Sequence, residues 1–454
     1  MEKISEGVFK AYDIRGIYPS EIDEDFAYKL GRGFSTFVLE KNPAAKSVVL
    51  SSDMRLSSPA LRVEVERGIL DSGLNVIDIG LASTPTFYFA VAYYGYDSGI
   101  QVSASHNPKD YNGFKMVLGG GFPVSKNSGI MRIKEIMLNE TFVNKVEQGT
   151  IFKEESVLED LANEQLANFD MSRIRKFKIV IDASNAMGAL DMEEFFNRVP
   201  GDIVKMNFTL DGSFPVHEAD PLKEENLEAL QKAVVENGAD FGISIDGDAD
   251  RYFFVDEKGD LLRQEILRGI MAQIELKRSP GEVVCYDIRP GRITRDMIEE
   301  MKGDPIVTPV GHSLIKEIMI ENDAVFGGES SGHYFYREHY GTFEMPFLLV
   351  SRFLQFLSSE DKTFSQMMVP YKKYFHSGEI NRKVADSKAV LEKLKEKYKD
   401  ASLSEIDGIT IEYPDFWFNV RTSNTEPLVR LNLESKSREL TDEKVREVLE
   451  VIEG

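Results

Sequence analysis

Three aspartates recur at every second position of DGDADR, residues 246–251: Asp246, Asp248 and Asp250. In an extended segment that spacing turns all three carboxylates to one side, where they repel one another unless a cation neutralises them. A hard divalent metal is the economical reading, and a solvated acidic turn is the alternative. An EF-hand calcium loop is set aside although Glu257 falls at its twelfth position. The sixth position holds Arg251 in place of glycine, and the flanks FGISI and YFFVD read as strands.

Three further loops carry polar groups of chemical use. SASHNP, residues 103–108, ends an apolar strand and presents Ser105. It lacks the glycine-flanked elbow of an α/β-hydrolase, so a serine nucleophile and a plain Ser/Asn/Pro turn both fit it. GESSGH, residues 328–333, sets Glu329, Ser331 and His333 beside glycines that permit close backbone approach. Such groups suit sugar hydroxyls, and a glycine-rich turn with a surface histidine is the alternative. In RTSNTEP, residues 421–427, Arg421 could grip a phosphate bidentately while Ser423, Asn424 and Thr425 offer donors; the alternative is a capped turn.

These loops sit where strands run out. VVLSSDMR (48–55), IVIDASNA (179–186) and VVCYDIRP (283–290) are each an apolar strand that ends in an acidic residue and turn formers. Three related α/β domains would explain the recurrence, and open α/β sheets bind ligands beyond their strands' carboxyl ends. Charged stretches at 143–166 and near 369–376 read as junctions. Beyond the second, a lysine-rich helical stretch and the strand-like GITIEYPDFWFNVRTS read as an α+β domain. The expected partition is 1–150 with the serine loop, 151–256 with the acidic loop, 257–368 with the GESSGH loop and 369–454 with the RTSNTEP loop. The 454-residue length agrees, since domains cluster near 100 to 200 residues.

A formal net charge of −22 argues against nucleic acid or an anionic membrane as partner, because phosphate backbones demand a basic face. An anionic substrate would then need a locally basic site. The single cysteine, Cys285, suits a reducing compartment, and the amino-terminal segment has no signal-peptide core, so a cytoplasmic location is expected. The greasiest stretch, MPFLLVSRFLQFL, is short and carries Arg352.

Taken together, FKAYDIRG (9–16), SASHNPKDYNGFK (103–115), DGDADR, TPVGHSLIK (308–316), GESSGH and RTSNTEP, in this order and spacing, resemble the α-D-phosphohexomutase superfamily and most closely its phosphomannomutase/phosphoglucomutase branch. The resemblance implies three related α/β domains plus a mobile C-terminal α+β domain around a central cleft. It implies a phosphorylated Ser105, with Mg2+ held by Asp246, Asp248, Asp250 and the serine phosphate. Glu329 and Ser331, with His333 and Arg289, would read the sugar, and Arg421, Ser423, Asn424 and Thr425 would hold the non-reacting phosphate. Arg15, Lys115 and Arg251 would surround the transferring group, with Lys115 and His312 as candidates to shuttle a proton. The implied partners are small-molecule hexose phosphates, with a hexose 1,6-bisphosphate as activator and a monomer or dimer as the assembly.

The chain departs from the family pattern at Ser330, at Arg289 where a lysine is expected, and at GTFEMP (341–346). These touch sugar preference more than reaction type. A phosphoglucosamine mutase, a silent sugar-phosphate binder and a hydrolase that releases the serine phosphate remain as alternatives.

Overall fold

The three recurring segments become equivalent strands, Ser47–Ser52, Phe177–Asp182 and Val283–Asp287, each flanked on both sides by parallel neighbours. Val48, Val49, Leu50, Ile179, Val180, Ile181 and Val284 are all fully buried, as expected of parallel strands covered on both faces. The computed structural model describes residues 5–289, 291–422 and 428–454. They form two units: residues up to 262 together with 331–365, and 263–330 together with 366–454.

In the first unit one sheet runs in the order Ile14–Ile17, Tyr111–Leu118, Ser98–Val102, Ser47–Ser52, Asn75–Leu81, Ile151–Lys153, with Phe122–Pro123 paired to Tyr111–Leu118. A second runs Tyr252–Asp256, Phe241–Ile245, Phe177–Asp182, Gly201–Met206. Helix Glu24–Lys41 is started by Asp23, whose side chain accepts from the Phe26 N–H, and buries Phe26, Leu30, Phe34 and Phe37. It meets helix Ser58–Asp71 backbone to backbone: a Cβ at Gly31 would lie 2.5 Å from the Val65 carbonyl oxygen, and one at Gly68 2.4 Å from that of Tyr28. That contact anchors the chain just beyond strand Ser47–Ser52.

In the second unit, parallel strands Asp304–Thr308, Val283–Asp287 and Phe326–Gly328 are accompanied by helices Gln264–Arg278, Arg292–Glu300 and His312–Glu321. The chain then forms an antiparallel sheet in the order Phe375–His376, Leu428–Ser435, Phe416–Thr422, Ile409–Glu412, Ser402–Ser404, with Ile380–Lys383 also on Leu428–Ser435. Leu394 of helix Ser387–Lys397 and Val448 of helix Arg438–Glu453 join Val420, Leu431 and Leu433 in its core. This is the α+β arrangement expected of the last segment.

One local expectation changes. DGDADR is a turn between strands Phe241–Ile245 and Tyr252–Asp256, with Ala249 at φ 61°, and not an extended segment. The hairpin has to reverse direction there, so the carboxylates converge by turning around a bend. The charged stretch 143–166 contains strand Ile151–Lys153, which extends the first sheet parallel to Asn75–Leu81, and helix Val157–Leu166. The strand takes an exposed edge position in that sheet. Among the described residues no helix is long and apolar enough to cross a membrane. Cys285 is buried, which pushes its thiol up to about 12.

Each recurring strand runs out into a carboxylate that holds a basic side chain: Asp53 with Arg55 at 3.3 Å, Asp182 with His217 at 2.9 Å, and Asp287 with Arg289 Nε at 2.6 Å. His217 faces acceptors on both sides, Asp182 at Nε2 and the Glu218 carbonyl at Nδ1, 2.8 Å away. The hydrogen bond to Asp182 raises its pKa above the ordinary 6.5, against the opposing effect of burial. Because the folded value is the higher one, the imidazolium's stabilisation is complete below about pH 6.5 and is lost as pH rises through the folded value. Wild-type protein should therefore lose on the order of 1 kcal/mol relative to His217→Asn as pH rises from about 6.5 through the folded value, read from paired urea titrations. Parallel pH profiles for the two proteins would show that His217 is not the titrating group.

Candidate active site

Ser105 stands at the turn that follows strand Ser98–Val102, 1% exposed and with a left-handed φ of 52°. Its Oγ donates to Asp246 Oδ2 at 3.1 Å and lies 3.1 Å from His106 Nδ1. The structure thus brings the first two loops together across 141 residues of sequence. Asp246, Asp248 and Asp250 are all buried, each offering an oxygen within 4.8 Å of the others. Asp246 Oδ1 accepts from the backbone N–H groups of Asp250 and Arg251, which folds the turn around its own carboxylate. Thr84 supports Asp248 from outside, with Oγ1 2.5 Å from Oδ2 and its N–H on the Asp248 carbonyl.

Basic groups surround this triad. Lys115, on strand Tyr111–Leu118, places Nζ 2.8 Å from both Asp248 and Asp250. Arg251 Nε lies 3.7 Å from Asp246 and 3.9 Å from Asp250. His333 Nε2 stands 3.2 Å from Asp250 and 3.3 Å from Arg251 Nε, with Ser331 Oγ 2.9 Å from its Nδ1. Arg15 is gripped by Asp13 at 2.7 Å and donates to the Ala104 carbonyl and the Asn107 side chain, so it braces the serine turn.

Charge is unevenly shared among the three acids. Burial, then Asp250 and Asp248, pushes the Asp246 carboxyl well above the ordinary range. Burial acts on Asp250 too, but Lys115, His333 and Arg251 outweigh it and hold that carboxyl well below. Lys115 is held well above its usual value by Asp248 and Asp250 despite burial. Burial, with Arg251 and Arg15 nearby, drives His106 well below the usual imidazole range, so a neutral ring faces Ser105 Oγ. Asp248 Oδ1 is buried with no hydrogen-bond partner among the described residues. A hard divalent cation fits this oxygen set, because it would restore the missing positive charge at Asp246 and give that oxygen a partner.

The remaining expected residues lie mostly in the second unit. Arg289 pairs with Asp287, and its Nη2 is 3.9 Å from Glu329. Glu329 Oε1 accepts from the Gly311 N–H at 2.8 Å, which sets it beside His312, the first residue of helix His312–Glu321. Ser331 and His333 belong to the first unit, so the GESSGH segment is divided between the two. Arg421 is engaged by Glu379 at 2.6 Å. Ser423, Asn424 and Thr425 lie outside the described residues.

Reading the sequence passed over His106, which directly follows Ser105, and also Asp287 with Arg268. Arg268 is fully buried, pairs with Asp287 and donates to Ser330 Oγ at 3.2 Å, while that hydroxyl donates to Asp287 Oδ1 at 2.9 Å, so Ser330 is held by the Arg268–Asp287 ion pair. Helix Gln264–Arg278 also carries Glu265, Glu275, Lys277 and Arg278, so nothing local marked Arg268.

Family models match the whole series of segments. The phosphoglucomutase/phosphomannomutase alpha/beta/alpha domains I, II and III match residues 6–144, 157–259 and 265–374, and the C-terminal domain of the same family matches 379–451. The phosphomannomutase of Vibrio cholerae is 37% identical over 455 residues, covering 98% of both chains. That of Methanocaldococcus jannaschii is 39% identical over 453 residues, covering 98% of this chain and 97% of its own. A crystal structure of a phosphoglucomutase/phosphomannomutase family protein from Burkholderia thailandensis superposes with a TM-score of 0.91 at 29% identity, covering 99% of this chain and 98% of that one. Given four matched domains in order and relatives aligned from end to end, the chain belongs to the phosphoglucomutase/phosphomannomutase family.

Proposed function

We propose that the protein is a magnesium-dependent phosphohexomutase that interconverts hexose 1-phosphate and hexose 6-phosphate, of mannose and glucose, through a phosphorylated Ser105. The observation that carries this is the buried, left-handed Ser105 turn with its Oγ 3.1 Å from Asp246 of the acidic triad. Phosphoryl transfer asks little of a protein beyond positioning and neutralisation of charge on the phosphoryl oxygens.

In this reading Asp246, Asp248 and Asp250, with the serine phosphate, would hold Mg2+, which when bound supplies positive charge at the phosphoryl oxygens. Arg15, Lys115 and Arg251 supply the protein's own positive charge around Ser105. A sugar hydroxyl oxygen attacks phosphorus as the bond to Ser105 Oγ breaks, and the hydroxyl proton passes to a protein base. The resulting hexose 1,6-bisphosphate turns over, and its other phosphate returns to Ser105 by the reverse step. His106, neutral and 3.1 Å from Oγ, is placed to hold that oxygen when it is free. Glu329, Ser331, His333 and Arg289 are proposed for the sugar hydroxyls, and Arg421 with residues 423–425 for the second phosphate. His312 and Lys115 remain the proton-shuttle candidates. The expected domain limits near 150, 256 and 368, and a cytoplasmic place of work suited to the lone thiol Cys285, are part of the same proposal.

A coupled assay with glucose 1-phosphate, mannose 1-phosphate and glucosamine 1-phosphate side by side tests the reading. Glucose and mannose substrates should react at rates within roughly two orders of magnitude, since they differ only at carbon 2 and one imperfect hydrogen bond there costs about fivefold. Protein shown by intact mass to lack phosphate should need a trace of glucose 1,6-bisphosphate to begin. A preference for glucosamine 1-phosphate would reassign the substrate, and release of inorganic phosphate at the rate of sugar turnover would mean a hydrolase.

A further inference from the structure

A guanidinium outside the reacting groups holds the turn on which they depend. The Arg55 side chain is fully buried at the tail of strand Ser47–Ser52. Its Nη1 donates to the carbonyls of Pro108 at 2.8 Å and Tyr111 at 3.0 Å, and its Nη2 to those of Ser105 and Asn107, both at 2.6 Å. Nε lies 3.3 Å from Asp53 Oδ2. Asp53 is fixed in turn, because its Oδ1 accepts from the Arg55 N–H at 3.0 Å and from the Ser58 hydroxyl at 2.6 Å. Ser58 opens the helix that Gly31 and Gly68 clamp to its neighbour. The rigid core of the first α/β layer is thereby tied, through one carboxylate and one guanidinium, to four carbonyls of residues 105–111.

Geometry at Ser105 shows what this tie secures. A left-handed φ on a residue with a side chain persists only where the surroundings over-determine it. The Ser105 carbonyl is enclosed from two sides: Arg55 Nη2 donates to it, and Gly247 of the acidic turn approaches so closely that a Cβ there would lie 2.3 Å from the same oxygen. Gly212 also packs on the backbone of Arg55, where a Cβ would lie 2.7 Å from the Arg55 Cα, and the Phe214 ring covers the guanidinium at 5.1 Å. The Ser105 carbonyl is therefore the point where the Arg55 anchor and the Asp246–Asp250 turn meet.

We infer that Arg55, oriented by Asp53, is a positioning residue for phosphoryl transfer: it fixes the turn that presents Ser105 Oγ to the acidic triad, and so governs the rate of transfer to and from Ser105 while leaving sugar-phosphate affinity alone. The inference rests on the reading of Ser105 as the phosphoryl carrier. A lysine cannot reproduce the anchor, since three donors on one nitrogen cannot span the carbonyls that a planar fork reaches.

The test uses Mg2+-loaded, full-length Arg55→Lys and Asp53→Asn. Arg55→Lys should lower kcat by ~100-fold, the scale of a displaced reacting group, with KM for glucose 1-phosphate within about threefold of wild type. Uptake of phosphate by Ser105 from glucose 1,6-bisphosphate, followed by intact mass, should slow in parallel. Amide hydrogens of 105–111 should exchange faster by about tenfold or more while those of strand Ser98–Val102 keep their protection. Asp53→Asn should show the same split at about a tenth of the size. A folded Arg55→Lys protein with wild-type kcat, or one with raised KM at constant kcat, overturns the inference. If Arg55→Lys does not fold, the Asp53→Asn readouts decide in the same way. An inactive Ser105→Ala beside an unaffected Arg55→Lys defeats this inference alone, whereas an active Ser105→Ala defeats the phosphoserine reading itself.

Discussion

Ser105→Ala protein is expected to lose mutase turnover by at least ~10⁴-fold while remaining folded, because the substitution removes the atom proposed to carry the phosphate between its two positions. The loss should fall on kcat. Binding of glucose 1-phosphate, measured by calorimetry, should survive, since the sugar and its resident phosphate are proposed to be read elsewhere. Stability should fall little. Oγ takes part in one hydrogen bond to Asp246 and one contact with His106, and losing a single such donor beside a buried carboxyl costs on the order of 1 kcal/mol. Alanine tolerates the left-handed turn about as well as serine, so no new backbone strain is added. Circular dichroism and a thermal melt separate this outcome from unfolding. Turnover near the wild-type rate in Ser105→Ala would sink the covalent mechanism.

Removal of divalent metal is expected to have the second largest effect, a fall of ~10³-fold or more in kcat that Mg2+ restores. Asp246, Asp248 and Asp250 sit buried within 4.8 Å of one another, and Lys115 with Arg251 brings less positive charge than the three acids and a phosphate would bring negative. Asp248→Asn should raise the Mg2+ concentration needed for half-maximal rate by at least ~10²-fold, because it removes both a charge and the acid that helps hold Lys115. A readout apart from catalysis is available. Wild-type protein should gain about 2.7 kcal/mol of stability at Mg2+ a hundredfold above its dissociation constant, and Asp248→Asn should gain almost none at that same concentration. Protein freed of metal, with its metal content checked, that still turned over normally would show that the acidic turn has another purpose.

How much of this was legible beforehand follows from the range over which each feature acts. The apolar β-branched runs at 48–52, 179–182 and 283–287 specify strands by themselves, since burial on both faces needs only a continuous run. Their polar tails mark the ends at which ligands bind in such sheets. Asp246, Asp248 and Asp250 likewise announce a cation through their spacing, because charge repulsion among neighbours is local. The conformation behind that spacing was not legible: the turn forms because Asp246 accepts from the N–H groups of Asp250 and Arg251 and because Gly247 must close onto Ser105.

Everything that gives these groups their chemistry is long-range. Lys115 meets Asp250 across 135 positions, Ser105 meets Asp246 across 141, and Arg55 reaches the Ser105 carbonyl across 50. Nothing near Arg55 in sequence distinguishes it from a surface arginine, and nothing near His217 reveals that Asp182 raises its pKa. From the sequence alone came the strands, the loops that end them, the kinds of groups those loops carry and the family they resemble. Tertiary structure alone decided which carboxylate bears the charge deficit, which cations answer it and what clamps the serine in place, because those depend on burial and on partners that only the folded chain brings within hydrogen-bonding distance.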